Sequence, residues 1–109
     1  EGAGVLCPVE KEKAKHVYHL FVIRIKKRSS LQASLKEKGI ETLIHYPIPI
    51  HLQRAFKELR YHRGDIPLTE QYSREILSLP FFPEMTESEM EEVATLIKIF
   101  NKVEVIHEP

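Results

Sequence analysis

Several features that mark other protein classes are scarce in this chain of 109 residues. The single cysteine, Cys7, excludes a disulfide within the chain and is compatible with a reducing compartment, so we expect a cytoplasmic protein. No apolar run approaches the ~20 residues needed to cross a bilayer, and no signal peptide is visible. Basic and acidic residues balance at 16 each, so no net field favours nucleic acid or an anionic membrane. The composition predicts one globular domain with no nucleic-acid and no membrane partner.

Motifs of several enzyme classes are also missing. There is no CxxC pair, no HExxH, no glycine-rich phosphate loop and no GxSxG. Three serines, Ser73, Ser78 and Ser88, fall in predicted helices or at their ends, without a histidine partner in the pattern. His45 and His51 would lie up to about 20 Å apart in an extended chain. We therefore expect neither nucleophilic catalysis nor a metal site.

What is present is a periodic apolar pattern that predicts an α+β fold of order β-α-β-α-α-(β)-α, a small mixed sheet covered by helices. The predicted strands are residues 17–25 and 40–44, and the predicted helices are residues 30–38, 50–59, 67–79 and 86–102. Residues 81–82 should form an edge strand or an extended link, and residues 103–106 a short strand or a trailing end. The relative direction of the first two strands is left open.

Local signals place the ends of two helices. Ser29 with Gln32 fits a capping box, and Gly39 supplies a left-handed stop for the same helix. Thr86 with Glu89 fits a second capping box at the start of the last helix.

The domain prediction is a connection over residues 1–15, one domain over 16–103 and a tail over 104–109. Cys7 should be a small buried hydrophobe, and His19 a satisfied, partly buried side chain. Because the chain opens at Glu1 without an initiator methionine, we expect a piece of a larger protein or a processed one.

The most unusual stretch is residues 45–51, which we term the His-Tyr-Pro segment. Pro47 and Pro49 remove two backbone donors and fix φ, so neither a helix nor a central strand can continue through it. The segment follows a predicted strand, at the end where α/β folds place ligands. His45 and Tyr46 could face a ligand there, or both could be packed structural groups. Basic residues then follow at 54, 57, 60 and 63, and we expect a solvated face in preference to a phosphate patch.

Four pieces of sequence, in register, resemble the C-terminal part of the DegT/StrS-type sugar aminotransferases. They are His19-Leu20-Phe21, residues 36–42 (KEKGIET), residues 44–53 (IHYPIPIHLQ) and residues 75–80 (EILSLP) with Phe82-Pro83. The resemblance spans about residues 16 to 102.

This resemblance implies the C-terminal small domain of a fold-type-I aminotransferase. Such enzymes use pyridoxal phosphate to move an amino group, typically from glutamate, to a keto-deoxy sugar on a nucleotide carrier, and they work as homodimers. The resemblance also implies that His45 and Tyr46 face the substrate, with His51 as a third candidate, and that the chain supplies substrate-wall and dimer contacts.

The sequence departs from an intact enzyme of that kind. Lys26, Lys36 and Lys98 fall on predicted exposed faces without a partner for a pyridinium nitrogen. We therefore expect no catalytic residue, no cofactor-binding residue and no transamination from this chain alone. The alternative is a stand-alone α+β interaction or regulatory module without catalysis. An RNA-binding module is disfavoured by the neutral charge.

Overall fold

The computed structural model describes residues 4–107, with side chains described as far as Lys102. It contains two strands, three α-helices and two 3₁₀ helices. In chain order they are β1 (Phe21–Arg24), α1 (Arg28–Glu37), the 3₁₀ helices Ile50–Leu52 and Arg54–Leu59, α2 (Pro67–Glu75), β2 (Ile76–Leu79) and α3 (Glu87–His107). The α+β class predicted from sequence is confirmed.

The sheet is a two-stranded antiparallel ribbon extended at both edges. Phe21 of β1 lies opposite Leu79 of β2. Leu6 forms an isolated bridge to Arg24, and Leu43 forms one to Ser78, both antiparallel. Four chain segments therefore lie side by side in the order Leu6, β1, β2, Leu43. The sequence left open the relative direction of its first two predicted strands. The structure settles it, because the segment at Leu43 runs parallel to β1 with β2 between them.

The core forms where α1 and α3 pack together beside the sheet. Its buried apolar residues are Ile23, Ile25, Leu31, Leu35, Leu77, Val93 and Ile97. Leu31 and Leu35 lie on the predicted inner face of α1, so helical periodicity correctly identified that face. Val5 also packs against this core, beside the bridge that Leu6 makes to β1. The predicted domain boundaries themselves stay predictions.

Helix α1 begins earlier than predicted. Its N-cap is Lys27, without a side-chain capping bond, so the predicted Ser29–Gln32 capping box is wrong. Arg28 anchors the first turn by donating from Nη1 to the carbonyl oxygens of Ser73 and Ile76, at 2.9 and 3.1 Å. The predicted stop at Gly39 is confirmed, since its φ is 80°, where only glycine is unstrained.

The helix predicted over residues 67–79 is wrong in its last four residues. α2 ends at Glu75, Ile76 is extended, and Ile76–Leu79 forms β2. A short apolar run fits a buried strand as well as a helix, and pairing with β1 decides between them. Residues 81–82, offered as an edge strand or a link, lie in a link after β2.

Three other predicted elements are shorter or less regular than expected. The strand predicted over 17–25 starts only at Phe21, because Tyr18 has a positive φ of 49° and stacks its ring on His16. His19 is exposed, and the expectation that it is partly buried was wrong. The strand predicted over 40–44 is reduced to the Leu43 bridge. The helix predicted over 50–59 is two 3₁₀ helices with Gln53 extended between them.

The last helix, α3, confirms the predicted capping box. The backbone N–H of Glu89 donates to Thr86 Oγ1 at 3.2 Å, and the N–H of Thr86 donates to Glu89 Oε2 at 2.8 Å. The backbone stays helical to His107, so a strand over residues 103–106 was wrong. Within residues 4–107, no helix has the length and apolarity to cross a membrane.

Candidate functional site

The His-Tyr-Pro segment leaves the sheet immediately after the Leu43–Ser78 bridge. The two backbone hydrogen bonds of that bridge, 2.7 and 3.1 Å long, tie the chain to β2 two residues before His45. His45 is half-buried, and its Nδ1 lies 2.8 Å from Oγ of Ser78, a buried residue in the middle of β2. The peptide bond between His45 and Tyr46 is cis. The sheet thus fixes one edge of the His45 ring.

Tyr46 projects beside this fixed imidazole. Its side chain is 68% exposed, and its ring meets that of His45 edge to face, with centroids 5.4 Å apart. Its hydroxyl takes part in none of the hydrogen bonds found among the described residues. The structure therefore brings His45 and Tyr46 together as an imidazole and an available phenol at one end of the sheet.

His51 is in a different environment. It is buried, its Nε2 lies 3.3 Å from Oε2 of Glu70, and its ring contacts the edge of Tyr61. The three predicted site residues therefore fall into two groups, His45 with Tyr46 and His51 with Glu70. The assignment of all three as substrate-binding residues stays a prediction.

Glu70 is a buried carboxylate that the sequence did not single out. It accepts hydrogen bonds from the backbone N–H of Gly64, at 2.8 and 3.0 Å to its two oxygens, and from Ile66 at 3.2 Å. The Gly64 N–H lowers the pKa of Glu70 most, and His51 and Ile66 add to this, while burial acts in the opposite direction. Glu70 thus holds the loop before α2 against His51. The available signal was its position in the first turn of a helix that starts at a proline.

A second engaged carboxylate, Glu75, supports the sheet from the end of α2. Arg24 Nη2 donates to its Oε2 at 3.0 Å, and the Arg24 guanidinium lies 3.5 Å from the centre of the Tyr72 ring. A hydrogen bond from Gln71 lowers the pKa of Glu75, and Arg24 lowers it further, partly offset by burial. These contacts join β1 to α2 and are structural.

An apolar groove of about 440 Å³ runs between the end of β2 and α3. Its lining includes Val5, Phe21, Leu79, Phe81, Met85, Met90, Val93 and Ile97. Cys7 lies at this groove and is an exposed free thiol, so the expectation of a buried cysteine was wrong.

The basic side chains at 54, 57, 60 and 63 are all exposed. Among the side chains described, those of residues 4–102, no three from His, Cys, Asp or Glu come together as a metal site.

Comparison with known proteins identifies the family. The model of the DegT/DnrJ/EryC1/StrS aminotransferase family matches residues 2–98. The chain belongs to this family. Among curated relatives, a pleiotropic regulatory protein of Geobacillus stearothermophilus is 45% identical over 91% of the chain. A dTDP-3-amino-3,6-dideoxy-alpha-D-galactopyranose transaminase of Aneurinibacillus thermoaerophilus is 42% identical over 83% of it.

The fold agrees with the family assignment. The structure of DesV from S. venezuelae, solved with a ketimine intermediate, superimposes with a TM-score of 0.86 at 33% identity over 90% of this chain. The chain spans only about a quarter of each relative: 27% of the regulatory protein, 24% of the transaminase and 26% of DesV.

Aminotransferases of this family depend on pyridoxal phosphate, and the residues of this chain do not fit that cofactor. A lysine must form the Schiff base, and a carboxylate must face the pyridine nitrogen. All ten lysines lie in the described part of the chain and are exposed. Among the side chains of residues 4–102, the two inward carboxylates, Glu70 and Glu75, are already engaged as described above. No cofactor site is therefore assigned to these residues.

Proposed function

We propose that this chain forms the C-terminal small domain of a pyridoxal-phosphate-dependent sugar aminotransferase. The intact enzyme transfers an amino group, from glutamate, to a nucleotide-linked keto-deoxy sugar. The family match and the transaminase relative support the reaction class. The absence of a fitting lysine among the described side chains supports the placement of the catalytic groups outside this domain.

Within that enzyme, His45 and Tyr46 form part of the substrate wall. The observation that carries this proposal is the contrast between the two neighbours: Ser78 fixes the imidazole, while the phenol beside it is exposed. An imidazole and a phenol can both bind the hydroxyl or phosphate oxygens of a nucleotide sugar. His51 supports the position of this wall, because it is buried against Glu70 where the His-Tyr-Pro segment enters its first 3₁₀ helix.

The test uses a full-length enzyme that carries this domain. We expect Tyr46→Phe and His45→Ala each to lower kcat/KM for the nucleotide sugar roughly tenfold, the equivalent of one hydrogen bond. The absorbance of the bound cofactor should be unchanged, because neither side chain contacts it in this proposal. Tyr72→Phe is the matched control, since the Tyr72 ring packs against Arg24 and makes none of the contacts found for His45, Tyr46 or His51. An unchanged kcat/KM in both Tyr46→Phe and His45→Ala would show that these two residues have only a structural role.

The chain on its own should be inactive. We expect no absorbance from lysine-bound pyridoxal phosphate and weak or no binding of a nucleotide sugar, measured by absorbance and by calorimetry. A stoichiometric cofactor band in the purified chain would contradict the proposal.

We further propose a homodimer, located in the cytoplasm. Exposed apolar side chains at the groove, Phe81 and Met90 among them, favour contact with further protein surface, and the free thiol of Cys7 suits a reducing compartment. Sedimentation analysis of the chain should show self-association, and a monomer at high protein concentration would count against the homodimer.

The name of one relative favours a second candidate function. The pleiotropic regulatory protein suggests a regulatory role. The second candidate is a stand-alone regulatory or interaction module without catalysis. The reading frame upstream of Glu1 distinguishes the two candidates, because only the aminotransferase requires an in-frame pyridoxal-phosphate domain.

A further inference from the structure

The contact between Ser78 and His45 determines more than the position of the ring. Ser78 is 4% exposed, and its backbone N–H and carbonyl are both used by Leu43. The Oγ atom of Ser78 therefore projects from a strand whose backbone is held by hydrogen bonds to Leu43, two residues before the His-Tyr-Pro segment. Its one hydrogen-bond partner among the described residues is Nδ1 of His45, at 2.8 Å.

The position of the proton follows from what each atom can satisfy. If Nδ1 carried the proton and donated to Ser78, the serine hydroxyl would become a buried donor without an acceptor. If the hydroxyl donates to Nδ1, both atoms are satisfied and the proton of the neutral imidazole lies on Nε2. The second arrangement leaves no buried donor unpaired.

We infer that Ser78 is a positioning residue that holds His45 in the Nε2–H tautomer, so that the ring offers an N–H donor to an oxygen of the bound nucleotide sugar. The substrate part of this inference rests on the proposed function. The tautomer part does not, because it depends only on contacts within the described chain.

The first experiment measures the tautomer directly. The chain is labelled with ¹⁵N, and the two ring nitrogens of His45 are observed by long-range ¹H–¹⁵N correlation at alkaline pH. We expect a protonated Nε2 and an unprotonated Nδ1 in the unaltered chain, a mixture of tautomers in Ser78→Ala, and the original tautomer in Ser78→Thr. A protonated Nδ1 in the unaltered chain would overturn the inference without any variant.

Ser73→Ala is the matched control. Ser73 is a buried serine whose hydroxyl donates to the carbonyl oxygen of Glu70 at 2.7 Å. Its loss removes an equivalent buried hydroxyl with no contact to His45, so the His45 tautomer should not change. A change of the same size in Ser73→Ala would show a general loosening of the domain and would overturn the role of Ser78.

The second experiment tests the link to substrate in a full-length enzyme. We expect Ser78→Ala to lower kcat/KM roughly tenfold, as for one hydrogen bond, and to have no further effect when His45 is already alanine. Independent, multiplying losses would show that Ser78 acts by another route. If His45→Ala leaves kcat/KM unchanged while the tautomer is as expected, the proposed function fails and the Ser78–His45 contact stands.

Discussion

At the scale of single residues, Glu70 is a carboxylate on which a whole loop depends. Its oxygens accept from two backbone N–H groups of residues 64–66 and contact His51. A buried carboxylate with several donors is stabilised in its charged form. Glu70 therefore links the pH of the solution to the stability of the segment around His51.

The direction of that link follows from the lowered pKa of Glu70. Its pKa in the folded chain lies below the ordinary value of 4.5, so on acidification the unfolded chain binds this proton first. The stability that Glu70 contributes is therefore fully present above about pH 4.5 and is lost as the pH falls through the lowered folded value.

We predict that Glu70→Gln lowers the urea midpoint at pH 7 and reduces the further loss of stability on going from pH 7 to pH 3, compared with the unaltered chain. The glutamine cannot lose a charge, so its stability lacks this source of pH dependence. Urea unfolding at both pH values measures the effect. Glu12→Gln, at an exposed position, is the control and should match the unaltered chain. An equal loss of stability on acidification in Glu70→Gln and in the unaltered chain would show that Glu70 is not the source of the pH dependence.

The site could be predicted from sequence only in part. His45 and Tyr46 are adjacent, and the two prolines after them indicate a stiff, exposed connection, so the local pattern pointed to them. Their partners are distant in the chain: Ser78 lies 33 residues from His45, and Glu70 lies 19 residues from His51. Such pairs are made by the sheet and by the packing of α2, which no local pattern encodes.

At the scale of elements, the start of α3 is specified locally. Thr86 and Glu89 satisfy each other's backbone N–H groups, as a capping box requires. We predict that Thr86→Ala destabilises the chain by about 1 kcal/mol, because it leaves an N–H at the helix start without its acceptor. Thermal unfolding followed by circular dichroism measures this.

Thr95→Ala provides the comparison within the same helix. Thr95 is exposed inside α3, where alanine has the better helix propensity, so this change should be neutral or slightly stabilising. Equal effects of the two substitutions would mean that the capping box contributes little.

At the scale of the whole molecule, Leu77 joins the sheet to the core. It is fully buried in β2, opposite Ile23 of β1. We predict that Leu77→Ala costs about 2–5 kcal/mol, from lost apolar burial and the cavity that remains. Urea unfolding at pH 7 measures it.

Leu59→Ala is the corresponding surface change, since Leu59 is 62% exposed at the end of the second 3₁₀ helix. Its effect on the free energy of unfolding should stay within about 0.5 kcal/mol. A large loss there would place Leu59 in a contact that the described residues do not show.

The sequence by itself determined the α+β class through the apolar periodicity of its segments. It also determined the inner face of α1, the stop at Gly39 and the capped start of α3, because each of these depends on residues within one or two turns of one another. It also marked the His-Tyr-Pro segment through its prolines. Only the tertiary structure decided that residues 76–79 are a strand, that Leu43 joins the sheet beside them, and that His51 is buried against Glu70. Those outcomes depend on backbone pairing and burial between distant segments, where a short apolar run is compatible with more than one structure.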